Sequence, residues 1–149
     1  MNTVLKISSL QDTRALGIKI GEKVQEGTVI TLSGDLGAGK TTLTQSIAKG
    51  LGITKTVSSP TFTICKIYHG RLPLYHFDAY RLEGSEEDLG FEEMIEGDGL
   101  AVIEWPQYID YMIPEDVLNI SIRLTKDEER EMSFTAHGEK SIQLLKEIV

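Results

Sequence analysis

The amino-acid sequence predicts an α/β fold organised around a phosphate-binding loop. Thr28–Ser33 is a short apolar and β-branched run, typical of a buried strand, and it leads directly into Gly34–Thr42. That stretch fits the pattern G-x-x-x-x-G-K-S/T without a mismatch. Leu43, Ile47 and Leu51 follow at helical spacing. Farther along, two pairs of strand-like segments with short connections predict antiparallel hairpins.

The order strand, glycine-rich loop, helix is the one that a nucleotide phosphate site needs. Backbone N–H groups of such a loop turn toward one point, and the N-terminus of the next helix carries about half a positive charge. Lys40 adds a cation for the outer phosphates, and the Thr41 hydroxyl is placed to bind Mg²⁺. The predicted phosphate-binding residues are Asp35, Leu36, Gly37, Ala38, Gly39, Lys40, Thr41 and Thr42.

Two elements are predicted ahead of the loop. Thr3–Ile7 alternates weakly, as a first strand would, and a helix follows over Leu10–Gln25. Ser8-Ser9 offers an N-cap for this helix, and Gly27 is expected to end the helical segment.

A hydroxyl-rich loop follows the helix of the phosphate site. It covers Thr56–Thr63 and is marked by a proline. Nucleotide switches often place a hydroxyl of such a loop near the γ-phosphate and Mg²⁺, although an ordinary turn into the next strand has the same composition. The candidate switch residues are Ser58, Ser59, Pro60 and Thr61.

Two carboxylates are predicted at the ends of apolar strands. The segments 62–68 and 72–80 form a predicted hairpin whose second arm contains Asp78, and the more apolar Leu100–Trp105 contains Glu104. One carboxylate can hold Mg²⁺ and the other can orient the attacking water, and the sequence leaves both assignments open. His76 and Asp78 together lack a third ligand for a transition metal.

The remainder of the chain offers two further candidates. Trp105 is the only tryptophan, and either core packing or stacking near the nucleotide fits its position. Arg130 opens the second arm of a hairpin predicted over Val117–Leu124 and Arg130–His137, where it reaches a phosphate or remains an ordinary surface arginine. A closing helix is predicted from Glu139.

Length and composition indicate one globular domain over residues 1–149. No apolar run approaches the ~20 residues of a membrane span, and Met1–Lys6 lacks a signal peptide's regions. The single cysteine, Cys65, excludes an intramolecular disulfide, suits the cytoplasm and is interpreted as a packing residue.

The net charge of −8 comes from one acidic segment, residues 83–98, because acidic and basic residues are equal in number elsewhere. This charge argues against independent binding of RNA or DNA. A solvated helical face and a docking surface for a basic partner are the two interpretations of the segment. Its acidic residues are Glu83, Glu86, Glu87, Asp88, Glu92, Glu93, Glu96 and Asp98.

Missing motifs narrow the nucleotide chemistry. The nearest match to a guanine-reading motif, Thr125–Glu128, has Glu where Asp belongs, and no Asp-x-x-Gly switch or Leu-Ser-Gly-Gly-Gln is present. A small-molecule kinase normally carries an arginine-rich lid, whereas residues 83–98 of this chain are acidic and include no basic residue. This composition argues against a small-molecule kinase. ATP hydrolysis by a compact domain is the chemistry that remains.

Four stretches resemble the TsaE (YjeE) family, bacterial P-loop ATPases of tRNA threonylcarbamoyladenosine synthesis. They are Gly34–Thr42, Ser59–Thr63, the run His76-Phe77-Asp78-Ala79-Tyr80-Arg81-Leu82, and Ile103–Trp105, in order and at compatible spacings. The resemblance implies a three-layer P-loop NTPase-like fold with a mixed sheet. It also implies slow ATP hydrolysis that lets a TsaD–TsaB complex turn over, with tRNA reached only through that complex.

The resemblance also assigns roles to individual residues. Thr41 and Glu104 match the family's Mg²⁺ ligands, Asp78 an essential acidic residue near the phosphates, and Trp105 a functionally sensitive aromatic. Ser9 and Arg130 fall near the remaining nucleotide contacts. The expected cofactors are ATP or ADP and Mg²⁺, the expected catalytic residues are Lys40, Asp78 and Glu104, and the free protein is expected to be monomeric or weakly self-associating.

Overall fold

A seven-stranded mixed sheet forms the centre of the molecule. The computed structural model describes residues 1–34, 38–57, 64–82, 90–126 and 129–149, without the side chains of residues 81 and 82. The strand order is β1-β7-β6-β2-β5-β4-β3. The strands are β1 (Asn2–Ile7), β2 (Val29–Gly34), β3 (Cys65–His69), β4 (Pro73–Asp78), β5 (Leu100–Glu104), β6 (Val117–Lys126) and β7 (Glu129–His137). The helices are α1 (Leu10–Lys23), α2 (Lys40–Gly50), α3 (Phe91–Ile95) and α4 (Glu139–Ile148).

The strand directions gather the site residues at one edge of the sheet. β6, β2, β5 and β4 are mutually parallel, whereas β3 and β7 run antiparallel to their neighbours. β1 is antiparallel to β7 and therefore runs in the same direction as β6. The carboxyl ends of five strands consequently meet at one edge, which is where open α/β sheets bind ligands.

Helices cover the two faces of the sheet unequally. The larger core cluster joins Ile20, Ile47 and Leu145 of α1, α2 and α4 to the sheet, and it includes Val102. The smaller cluster places α3 and nearby turns against the other face, which carries Ile103. Because successive strand residues point to opposite faces, Val102 and Ile103 mark the two sides of a three-layer fold. The predicted fold class is confirmed.

Asp116, from the loop before β6, caps α4. Its carboxylate accepts hydrogen bonds from the backbone N–H of Lys140 at 3.0 Å and of Ser141 at 3.0 Å, and from Ser141 Oγ at 2.6 Å. Burial alone would raise the pKa of Asp116, but the Ser141 and Lys140 hydrogen bonds outweigh it and lower that pKa below its ordinary value.

Several predicted boundaries differ from the structure. The first helix ends at Lys23 and not at Gln25, because Val24 is already extended. β4 ends at Asp78 and not at Tyr80, because the chain turns into a 3₁₀ helix over Ala79–Leu82. The second hairpin is confirmed, with arms longer than predicted. The helical stretch after Pro106 consists of two 3₁₀ turns, Pro106–Tyr108 and Asp110–Met112.

The described part of the acidic segment is a short amphipathic helix. Phe91 and Ile95 of α3 are buried, whereas Glu92, Glu93 and Glu96 are exposed. This agrees with a solvated helical face, while docking of a basic partner stays a prediction and residues 83–89 lie outside the described part. Within the described residues, no helix has the length and apolarity that crossing a membrane requires.

Candidate functional site

Two glycines with a positive φ lie in the segment that the sequence predicts to bind phosphate. Gly34, the last residue of β2, has a φ of 153°, and a Cβ added there would lie 2.5 Å from the carbonyl oxygen of Ile122. Gly39 has a φ of 111° and occupies the N-cap of α2, where no side chain caps the helix. The first N–H groups of α2 therefore remain available to an anion. The predicted contacts Asp35, Leu36 and Gly37 lie outside the described residues.

Lys40 is a buried cation held beside an aromatic ring. Only 9% of the residue is exposed, and its Nζ lies 4.7 Å from the centroid of the Trp105 ring. Within the described part of the chain it forms no ion pair. A buried charge without a counter-ion is costly, so the position favours an anionic ligand.

Trp105 adopts an unusual backbone conformation that turns its ring toward Lys40. Its φ of 58° and ψ of 53° lie in the left-handed region, and no other non-glycine residue of the described chain has a positive φ. That conformation costs about 1–2 kcal/mol for an L-residue. Trp105 is 36% exposed and belongs to neither core cluster, so the structure does not support core packing, and stacking near a nucleotide stays a prediction.

Two tyrosines extend the aromatic surface around Trp105. The ring centroids of Tyr80 and Trp105 are 5.3 Å apart, and those of Tyr80 and Tyr108 are 5.5 Å apart. Tyr80 is 51% exposed. These separations are within the range of favourable aromatic pairs, so the three rings support one another.

The two predicted carboxylates are neighbours. Asp78 and Glu104 are register partners on the parallel strands β4 and β5, so their side chains leave the same face of the sheet about 4.8 Å apart at the Cα atoms. Asp78 Oδ1 accepts a hydrogen bond from the Tyr80 backbone N–H at 3.2 Å. Glu104 is 6% exposed.

A buried histidine holds Glu104, and sequence patterns did not predict this contact. His76 is 1% exposed, and its Nε2 lies 2.7 Å from Glu104 Oε2. The imidazole is thereby engaged with Glu104 and not with Asp78. Among the described residues, no group of three or more His, Cys, Asp or Glu side chains is arranged to bind a metal.

Arg130 reaches the phosphate-binding loop from β7. Its Nε donates a hydrogen bond to the Ala38 carbonyl oxygen at 2.7 Å, so it is not an ordinary surface arginine, and its contact with a nucleotide stays a prediction. Its Nη1 is buried and has no hydrogen-bond partner among the described residues. Beside it lies a cavity of about 330 Å³, lined by Lys6, Ile7, Thr125, Lys126, Glu129, Arg130 and Glu131.

The other predicted residues are placed as follows. Thr41 is exposed in the first turn of α2, and the Thr42 carbonyl accepts a hydrogen bond from Ser46 Oγ at 2.8 Å. Ser9 caps α1, accepting from the Asp12 N–H at 3.3 Å, and its contact with a nucleotide stays a prediction. The candidate switch residues Ser58, Ser59, Pro60 and Thr61 lie outside the described part.

Cys65 has the properties of a packing residue. Burial raises the pKa of its thiol to about 11, so the reactive thiolate is scarce at neutral pH. This agrees with the interpretation drawn from the sequence.

Comparison with known proteins identifies the chain's relatives. The family model described as "Threonylcarbamoyl adenosine biosynthesis protein TsaE" matches residues 7–132. Proteins named "tRNA threonylcarbamoyladenosine biosynthesis protein TsaE" are similar to this chain over most of their length. The one from Bacillus subtilis is 47% identical over 93% of this chain and 88% of its own, and that from Treponema pallidum is 44% identical over 84% and 94%.

A solved structure supports the same assignment. The crystal structure of Bacillus subtilis YdiB superposes with a TM-score of 0.85 and 38% sequence identity, covering 99% of this chain and 94% of that one. Since the fold, the extent of the family match and the identity to its members agree, the chain belongs to the TsaE family.

Proposed function

We propose that the chain is a Mg²⁺-dependent ATPase of tRNA threonylcarbamoyladenosine synthesis. In this proposal it hydrolyses ATP to ADP and phosphate and acts on a TsaD–TsaB complex without transferring the threonylcarbamoyl group itself. The place in this pathway rests on its relatives, which are named biosynthesis proteins of that modified nucleoside. The nucleotide chemistry rests on the site.

One observation carries the proposal. The start of α2, with buried Lys40, and the paired carboxylates Asp78 and Glu104 lie at the carboxyl edge of the same three parallel strands. A cation for phosphate oxygens and oxygen ligands for a metal are the two components that phosphoryl transfer in P-loop proteins requires. Trp105 lies against Lys40 and shields its charge from part of the solvent.

The residues present fit Mg²⁺. This cation prefers oxygen ligands and is usually bound through one or two carboxylates and substrate phosphates, without a full protein cage. Thr41 and Glu104 supply such oxygens, and the described residues contain no dedicated metal cluster. When bound, the cation neutralises charge on the β- and γ-phosphate oxygens.

The surroundings of the loop have room for the nucleoside. Glu104 on β5 and Asp78 on β4 lie on one side of β2, whereas Arg130 on β7 lies on the other side, beyond β6. With the outer phosphates at Lys40 and the carboxylates, the rest of the nucleotide extends toward Arg130 and the 330 Å³ cavity. That volume is within the usual range of small-molecule pockets.

The protein's own groups have separate roles in this mechanism. The first N–H groups of α2 and Lys40 bind the phosphates, Thr41 and Glu104 hold the cation, and Asp78 orients the attacking water. Water attacks the γ-phosphorus while the bond to the β–γ bridging oxygen breaks. The proton of the water passes to the phosphate that forms or to solvent, and ADP and phosphate leave. The charged groups act by position and electrostatics.

Hydrolysis is expected to be slow in the free protein. An arginine supplied in trans can raise the rate of a P-loop enzyme by ~10³ or more. The net charge of −8 and the exposed carboxylates of α3 favour a partner with a basic surface.

The test is phosphate release from ATP by the protein alone, with purified TsaD–TsaB, and with tRNA added. We expect slow release alone and faster release with TsaD–TsaB. Equal rates of phosphate release with and without TsaD–TsaB contradict the partner proposal. ADP formed only with an acceptor metabolite indicates a small-molecule kinase, and nucleotide binding without phosphate release indicates a non-catalytic adaptor.

A further inference from the structure

The register of β4 against β5 places the His76 and Glu104 side chains next to each other. The two residues lie on adjacent parallel strands, and His76 is in register with Val102, two residues before Glu104. Both side chains consequently leave the same face of the sheet. The Nε2–Oε2 distance of 2.7 Å is that of a short, charge-assisted hydrogen bond, and both groups are almost fully buried.

The hydrogen bond between His76 and Glu104 gives the two oxygens of the Glu104 carboxylate different roles. To bind a cation Glu104 must be ionised, and an ionised carboxylate can only accept hydrogen bonds, so in that state His76 Nε2 is the donor. The imidazole therefore occupies Glu104 Oε2 and restrains the rotation of the carboxylate. The other oxygen, Oε1, is left for a ligand.

Packing alone does not explain a histidine at this position. His76 Nδ1 is buried and has no hydrogen-bond partner among the described residues. A buried polar atom without a partner costs about 1–3 kcal/mol, which an apolar side chain of similar size would not incur. The strand positions on either side on the same face carry Leu74, a core residue, and Asp78, a site residue, so His76 stands at the boundary of core and site.

We propose that His76 is a positioning residue, which holds Glu104 so that Oε1 faces Mg²⁺. The inference rests on the proposed function, because it assigns Glu104 to the cation. Hydrogen-bond partners of metal ligands orient those ligands, and their loss typically lowers metal affinity 10- to 100-fold. His76 does not itself touch nucleotide or cation.

The test uses the single tryptophan as a reporter of nucleotide binding. Trp105 lies against Lys40, so its fluorescence should respond to ADP at the site. ADP binding is titrated in EDTA and then at increasing Mg²⁺, for wild type, His76→Leu and His76→Gln. Leu removes the donor at similar size, whereas the Gln amide can place a donor near the position of Nε2.

We expect His76→Leu to leave ADP binding in EDTA unchanged. The Mg²⁺ concentration that gives half of the maximal change in ADP binding should rise about 10- to 100-fold. In His76→Gln, this Mg²⁺ concentration should lie within a few-fold of the wild-type value. Wild-type Mg²⁺ dependence in His76→Leu overturns the inference alone. Absence of Mg²⁺-dependent binding in the wild type overturns the proposed function as well.

Two further variants separate positioning from general damage. In a Glu104→Gln background, His76→Leu should produce no additional loss of Mg²⁺ response, because the two residues act as one unit. A further loss there shows that His76 acts independently of Glu104 and overturns the inference. If His76→Leu does not fold, His76→Asn takes its place. Its amide is too short to reach Oε2, so an Asn variant with wild-type Mg²⁺ dependence is equally contradictory.

Discussion

Replacing Arg130 with alanine should weaken nucleotide binding much more than it weakens the fold. The substitution removes the hydrogen bond from Nε to the Ala38 carbonyl, 2.7 Å long, and the only cation that the described structure shows bonded to the phosphate loop. A hydrogen bond to a charged group contributes about 1.5–3 kcal/mol. If binding loses that amount, the Kd for ADP rises about 10- to 150-fold.

The assay is a titration of Trp105 fluorescence with Mg²⁺ and ADP, checked by calorimetry. Arg130→Lys keeps the charge but lacks the planar fork, so its Kd should lie between those of wild type and Arg130→Ala. Arg123→Ala is the matched control, because Arg123 lies on neighbouring β6 with 68% of its side chain exposed and pairs only with Glu131, at 3.1 Å, in the described chain.

Two results would refute this reasoning. One is a wild-type Kd for Arg130→Ala, which would show that the guanidinium does not support the bound nucleotide. The other is an equal loss in Arg123→Ala, which would show that the effect follows net charge and not the contact with Ala38.

Three further outcomes are expected. Gly34→Ala should lower the melting temperature and abolish ADP binding, because its Cβ would lie 2.5 Å from the Ile122 carbonyl oxygen at a positive φ, and an unchanged melting curve would contradict this. Asp116→Ala should lower the free energy of unfolding in urea by about 1–2 kcal/mol at neutral pH. Because the folded pKa of Asp116 is lowered, its contribution is present above the unfolded pKa and is lost as pH falls through the folded value, so a deficit that persists in strong acid would be inconsistent. Lys40→Ala and Glu104→Ala should each abolish phosphate release with unchanged circular dichroism, and wild-type turnover in either variant would show that the site is misassigned.

Local patterns in the sequence were sufficient for the centre of the fold. β2 at Val29–Gly34 and the start of α2 at Lys40 lie where the β-branched run, the glycines and the helical spacing predicted a strand and a helix. The Asp78 and Glu104 positions were predicted at strand ends for the same reason. Boundaries were less certain where a 3₁₀ turn replaced the end of a strand, as it does after Asp78.

Local sequence patterns could not predict contacts between segments that are far apart in the chain. The His76–Glu104 bond depends on the register of β4 against β5, and nothing within either strand specifies that register. Arg130 and Ala38 are 92 positions apart in the sequence, and they meet because the start of β7 lies beside Ala38. The left-handed conformation of Trp105 likewise has no local signal, since tryptophan rarely adopts it.

The most direct test of the proposed chemistry is a crystal structure with Mg²⁺ and a non-hydrolysable ATP analogue. It should show the γ-phosphate at Lys40, the cation bound by Thr41 and Glu104, and the adenosine beside Arg130 in the cavity that Ile7 helps to line. A nucleotide bound away from the start of α2, or a cation bound without Glu104, would contradict the assignment of this edge of the sheet as an ATPase site.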